Sequence, residues 1–243
     1  MSSKAEARRR TQAQRAKRRN QLLIVGAVAV IAVIAVVVLV VLSNRPRSTT
    51  STDYAGLPQS VEEAPGLGIR IGAEDAPVVV TEYSDYSCPH CYDLSPAIDQ
   101  VIATYVAQGK VALVYKPISF VNPPTSVPAA AAMVCAAQQG KGFEMHDEVW
   151  DLYTRGGPNA YTRALLTARA NNIGLDVSAF EQCFDSSETV SALQGVLADA
   201  QQAGVAGTPT VFVNGQIVTF SAAGDRFQEL SAAIEEALAE AGS

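Results

Sequence analysis

The tetrapeptide Cys88-Pro89-His90-Cys91 stands where an apolar, β-branched run, Val78 to Tyr83, gives way to a helix-compatible stretch. This junction puts two cysteines in the first turn of a helix that leaves directly from a strand. Two thiols separated by two residues can close a small disulfide ring, and the first faces the unpaired N–H groups and positive end of the helix. Its thiolate is therefore favoured over its thiol. A stabilised thiolate is a good leaving group, so the disulfide form tends to pass its oxidation to other thiols. Pro89 has the fixed φ that the first helical position tolerates at little cost.

The first part of the 243-residue chain is of a different kind. Residues 1–20 carry eight Lys or Arg against one acid, Glu6, and Leu22 to Leu42 then runs without a charge. An uncharged run of that length can cross a hydrocarbon core of about 30 Å. The expected organisation is a basic cytoplasmic tail (1–20), a transmembrane anchor (21–43), a flexible linker (44–65) and a folded domain (66–243). Because the basic residues precede the span, the positive-inside rule places the N-terminus in the cytoplasm and the remainder outside, as a single-pass protein of the cell membrane. A cleaved signal peptide is the competing reading. Its apolar region is typically about 7–15 residues, and Ser43-Asn44-Arg45-Pro46-Arg47 offers no small-x-small cleavage site. Topology alone explains the basic cluster, which leaves no reason to read it as a nucleic-acid site. Beyond residue 20 the chain has 10 basic and 23 acidic residues, an acidic solvated surface that names no partner. Four cysteines form an even set in a compartment where disulfides persist.

The linker is rich in Ser, Thr and Pro and lacks an apolar period. Beyond it the pattern predicts a buried strand over Val78–Tyr83 and a helix over Pro89–Ala107 kinked at Pro96, with a second strand over Val111–Tyr115. Helices are then expected over Ser126–Gln139, Phe143–Tyr153, Thr162–Asn171, Val177–Phe184 and Glu188–Ala203, with Asp176 as a cap. Strands over Thr210–Val213 and Gln216–Thr219 flank the Asn214-Gly215 hairpin signal, and a helix over Asp225–Leu238 follows. No internal repeat or nucleotide-binding glycine motif is visible, and Ala129 to Ala132 reads as core packing.

The order strand, C-P-H-C, helix, helical insertion, then Gly207-Thr208-Pro209-Thr210 and a hairpin resembles the DsbA-like thiol:disulfide oxidoreductases of the thioredoxin superfamily. The likeness spans roughly Gly68 to Ala239. It implies an α/β thioredoxin fold with a helical insertion at about 124–204. It also implies that Cys88 is the exposed, attacked sulfur and that Cys91, one turn on, is more enclosed and resolves or re-forms the bond. His90 between them can place an N–H donor or positive charge near the Cys88 thiolate. Thr208-Pro209 resembles the family's cis-proline loop, which offers backbone groups to a substrate strand. Glu82 matches the acid kept near the buried sulfur and is expected to relay a proton to Cys91; a solvent-facing strand glutamate is the alternative, and Asp85 can serve instead. Cys135 and Cys183 resemble the extra disulfide of some exported members, against two buried free thiols. His146 is expected as a helix residue bonded to backbone or to an acid, since zinc needs about four ligands and no second C-x-x-C or H-x-x-x-H accompanies it.

The function implied is an extracytoplasmic oxidase that introduces disulfides into reduced exported proteins and is re-oxidised by a quinone-linked membrane protein, without a bound cofactor or metal. An isomerase or reductase on the same fold, or a non-catalytic assembly module, is the alternative. Retention of both Cys88 and Cys91 argues against the module.

Overall fold

The computed structural model describes residues 54–62 and 67–242. The basic tail, the apolar span, the linker before Tyr54 and the expected domain start at Gly66 lie outside these residues. Among the described residues no helix is long and apolar enough to cross a membrane.

A six-stranded mixed sheet is the frame. Its strands are β1 (Gln59–Glu62), β2 (Gly68–Ile71), β3 (Val78–Ser84), β4 (Val111–Pro117), β5 (Thr210–Val213) and β6 (Gln216–Ile217), in the spatial order β1-β2-β4-β3-β5-β6. β3 and β4 are parallel, with Glu82 opposite Tyr115 and Tyr83 opposite Lys116. All other pairs are antiparallel. β4 is buried along its whole length, as expected for a strand covered on both faces. Residues alternate across the sheet, so Glu82, Ser84 and Tyr115 share one face. Tyr83 and Lys116 share the other.

The helices are α1 (Pro89–Val101), α2 (Pro123–Ala137), α3 (Gly142–Gly156), α4 (Arg163–Asn172), α5 (Val177–Phe184), α6 (Ser187–Gln202) and α7 (Arg226–Ala241). The five helices α2 to α6 are inserted between β4 and β5, close to the span that the sequence pattern predicts. Their starts are written in the sequence: Thr162, Asp176, Ser186 and Asp225 each accept a main-chain N–H from the first turn of the helix they precede, satisfying a donor that would otherwise lack a partner. α2 starts at Pro123 rather than Ser126, because proline is compatible with the first helical positions. The expected helix to Ala107 ends as an α-helix at Val101 and continues as one wide turn, Ile102–Val106.

The linker expectation is corrected at its C-terminal end. Gln59–Glu62 pairs with Gly68–Ile71 in full register, and the Gln59 side chain accepts from Phe143 N at 2.9 Å and donates to Glu144 at 2.7 Å. Tyr54 is buried, its hydroxyl donating to Asp147 Oδ1 at 2.8 Å and its ring centroid 6.0 Å from that of Phe143. These partners lie more than 80 residues away, so a short polar strand gains its stability from contacts that no local pattern announces.

Cys135 on α2 and Cys183 on α5 are joined by a disulfide, with a sequence separation of 48 and Cα atoms 5.7 Å apart. Closing a loop of this length restricts the unfolded chain by about 4 kcal/mol in the loop-entropy account. The bridge ties two helices of the insertion together.

Candidate active site

Cys88 is the N-cap of α1, in extended conformation, and Pro89 is the first helical residue. Proline has no N–H to leave unpaired there, while the Cys88 carbonyl accepts from Tyr92 N at 3.2 Å. Cys88 and Cys91 are free thiols, and their access differs. Cys88 is 6 % exposed and Cys91 is fully buried, so an incoming sulfur meets Cys88 first. The opening is narrow, less than the sequence expectation of an exposed sulfur. Pro89 and His90 form the exposed rim.

The loop before β5 closes over the first sulfur. The Thr208–Pro209 peptide bond is cis, and Cys88 Sγ lies 3.4 Å from the Thr208 carbonyl oxygen, to which the thiol donates. Antiparallel pairing of Thr210 with Tyr83 anchors this loop one strand from the strand that leads into the cysteines. Thr208 Oγ1 is buried without a hydrogen-bond partner among the described residues.

His90 lies on the exposed rim. Its side chain is 82 % exposed, with Nδ1 3.8 Å from Asp93 Oδ2, and among the described residues it makes no hydrogen bond to either sulfur. An α-helix points successive side chains 100° apart, so a residue next to the buried Cys91 is turned to solvent.

Beneath Cys91 lies a buried carboxyl. Glu82 is 2 % exposed, and its Oε2 has no hydrogen-bond partner among the described residues. Burial raises its carboxyl to about 8, with the Asp99 charge adding to the shift and the nearby Ser84 hydroxyl only partly offsetting it. Burial likewise pushes the Cys91 thiol well up, and a charged Glu82 pushes it further; Ser84 and the main chain of Asp85 act in the opposite sense. Two adjacent groups that cannot both hold negative charge in a low dielectric are suited to exchanging one proton. The solvent-facing alternative for Glu82 is thereby overturned. Asp85 is not a substitute for it, because both of its carboxylate oxygens are occupied by donors: Ser87 N at 2.8 Å, Ser126 Oγ at 2.6 Å and Val121 N at 2.9 Å.

Residues 66–236 match the family model described as thioredoxin. The chain belongs to the thioredoxin family. Among curated proteins it is 28 % identical over 173 residues to the "Probable disulfide bond formation protein D" of Bacillus anthracis, covering 69 % of this chain and 77 % of that one. It is 32 % identical over 147 residues to "Na(+)/H(+) antiporter NhaA 3" of Salinispora tropica, covering 60 % of this chain and 21 % of the antiporter. The chain thus spans about a fifth of the length of such relatives. Among solved structures, a thioredoxin-like oxidoreductase from Silicibacter pomeroyi superposes with a TM-score of 0.58 at 25 % identity, covering 70 % of this chain and 91 % of that one.

A second layer around this thioredoxin-type centre escaped sequence reasoning. Trp150 Nε1, which can only donate, points at His146 Nε2 at 3.1 Å, and His146 Nδ1 lies 2.9 Å from the Tyr86 hydroxyl. The tautomer follows: Nδ1 carries the proton and donates to Tyr86, whose hydroxyl in turn donates to Met133 Sδ at 2.9 Å. Burial lowers the His146 imidazolium to about 3. His146 is therefore a neutral hydrogen-bond link between two aromatic residues, not a residue bonded to backbone or an acid. The i, i+4 spacing of His146 and Trp150 was the available signal. For Asp85 the signal was an aspartate two residues before Ser87 at a strand end, the spacing of an Asx turn.

Proposed function

We propose that this chain is an extracytoplasmic thiol:disulfide oxidase that forms disulfides in reduced exported proteins. The observation that carries the reading is the unequal placement of the two sulfurs: Cys88 faces the rim and the Thr208 carbonyl, while Cys91 lies buried over a protonated Glu82. A substrate thiolate attacks Cys88 Sγ of the Cys88–Cys91 disulfide, an S–S bond forms to the substrate, and Cys91 leaves with the electron pair. Glu82, neutral near pH 7, supplies its proton. A second substrate thiolate then attacks the substrate's own sulfur in the mixed disulfide, giving the substrate disulfide and a Cys88 thiolate as the leaving group.

The two electrons left on Cys88 and Cys91 must go to a re-oxidant, for which a quinone-linked membrane protein is the proposed class. Leu22 to Leu42 would hold the domain beside such a partner and raise its effective concentration there. The name of the Bacillus anthracis relative supports the oxidase direction over the isomerase and reductase alternatives. The measurement that separates them is the reduction potential of the Cys88/Cys91 couple. The oxidase reading expects a value well above the approximately −270 mV of thioredoxin, and a value at or below that defeats it. Cys88→Ser is expected to abolish oxidation of a reduced test protein, and retained activity would overturn the assignment.

A further inference from the structure

Asp85 is the most heavily engaged side chain near the cysteines. It is fully buried, and its carboxylate gathers three donors from three places. Ser87 N–H comes from the turn leading to Cys88, Val121 N–H from the loop after β4, and Ser126 O–H from the first turns of α2. A second link runs parallel to these, between Ser87 Oγ and Thr125 Oγ1 at 2.8 Å. Taking a carboxylate out of water is costly unless its lone pairs are filled, and here they are filled by dipoles fixed in position. The main chain of the same residue touches both cysteines: its carbonyl accepts from Cys88 N at 2.9 Å, and its N–H points at Cys91 Sγ at 3.4 Å.

We infer that Asp85 is a positioning residue for opening of the Cys88–Cys91 disulfide: its carboxylate clamps the turn so that its own N–H stays aimed at the Cys91 sulfur. In that step an attacking thiolate forms a bond to Cys88 Sγ and the Cys88–Cys91 bond breaks. The electron pair goes to Cys91, which then takes the proton of Glu82. Negative charge develops on a sulfur that water does not reach, and a preset main-chain donor is worth more there than in water. Cleavage of a Cys88 mixed disulfide by a second thiol leaves Cys91 untouched and does not use the clamp. The inference rests on the thiol-exchange reading.

The test uses glutathione as the attacking thiol, followed by acid quench, alkylation and intact mass. In Asp85→Asn an amide N–H₂ must face at least one of the three donors, so the clamp loosens without loss of volume. Opening of the oxidised protein is expected to slow on the order of tenfold, the rate equivalent of one hydrogen bond to a charged group. In the Cys91→Ala background, cleavage of the Cys88–glutathione mixed disulfide is expected to stay within about threefold with or without Asp85→Asn. Ser126→Ala, which removes one donor, should give a smaller slowing of opening alone. Equal slowing of both reactions would reduce Asp85 to a structural residue, and opening at the parental rate in Asp85→Asn would remove the inference while leaving thiol exchange standing. A parental protein that glutathione cannot open would remove both.

Discussion

A carboxyl group buried beneath a thiol has to be neutral for the pair to be tolerated, and that requirement gives Glu82 its chemistry. Its ordinary value is raised to about 8 by burial, so at pH 7 it holds a proton one step from a sulfur whose own burial disfavours the thiolate. A Cys91 thiolate released by attack on Cys88 would be stranded in a low dielectric without that proton. The rate of opening by glutathione, corrected for the thiolate fraction of glutathione, is therefore expected to decline as pH rises through about 8 in the parent. Glu82→Gln should slow opening by about two orders of magnitude, the low end of the usual range for a lost general acid, and erase the decline. A decline that persists in Glu82→Gln would assign the titration to another group. Cys88 and Cys91 were visible in their spacing at a helix start, whereas Glu82 was singled out by the family resemblance and its burial is settled by the fold. Asp85 was undervalued because its partners at 121 and 126 meet it only after folding.

At the scale of the element, α1 reconciles a catalytic first turn with an internal proline. Pro96 lacks the N–H that would bond to the Tyr92 carbonyl, and the Ser95 hydroxyl donates to that carbonyl instead, at 3.0 Å. Gln100 Nε2 in turn donates to the Pro96 carbonyl at 3.1 Å. The serine thus replaces the bond the proline removes, and the helix keeps Cys91, Leu94 and Ile98 on its buried side. Ser95→Ala is expected to destabilise the fold by about 1 kcal/mol, read as a lower urea midpoint at constant slope, with the parental rate of thiol exchange. No loss of midpoint would show the carbonyl to be satisfied by water. The missing donor at Pro96 was legible because it is a local covalent rule. The strands β1 and β2 were not, because four-residue strands such as Gln-Ser-Val-Glu have no period long enough to read. The turn Asn214-Gly215 was legible for a local reason: both residues adopt positive φ, 46° and 79°, which that pair tolerates better than most.

For the whole molecule, the same buried groups set how stability varies with pH. Glu82 and Asp147 are both raised to about 8, chiefly by burial, so from roughly pH 5 to 8 the native state holds protons that the unfolded chain has released, and stability falls as pH rises. His146 acts in the opposite sense lower down: its value of about 3 lies below the ordinary 6.5, so unfolding takes up a proton between those limits and stability rises with pH there. Above about pH 7.5 the histidine contribution is complete and only the acids still change, while at pH 6 it offsets a small part of their effect. Asp147 retains some solvent contact, which screens its share; Glu82 has almost none. The urea midpoint is therefore expected to be higher at pH 6 than at pH 8.5, by on the order of 2 kcal/mol in stability. Glu82→Gln should remove the larger part of that drop and Asp147→Asn a smaller part, measured with the Cys88/Cys91 pair held reduced. A drop of unchanged size in the doubly substituted protein would locate the linked protons elsewhere. The comparison matters for function, because the neutral Glu82 that stabilises the fold below pH 8 is the same species that can give its proton to Cys91.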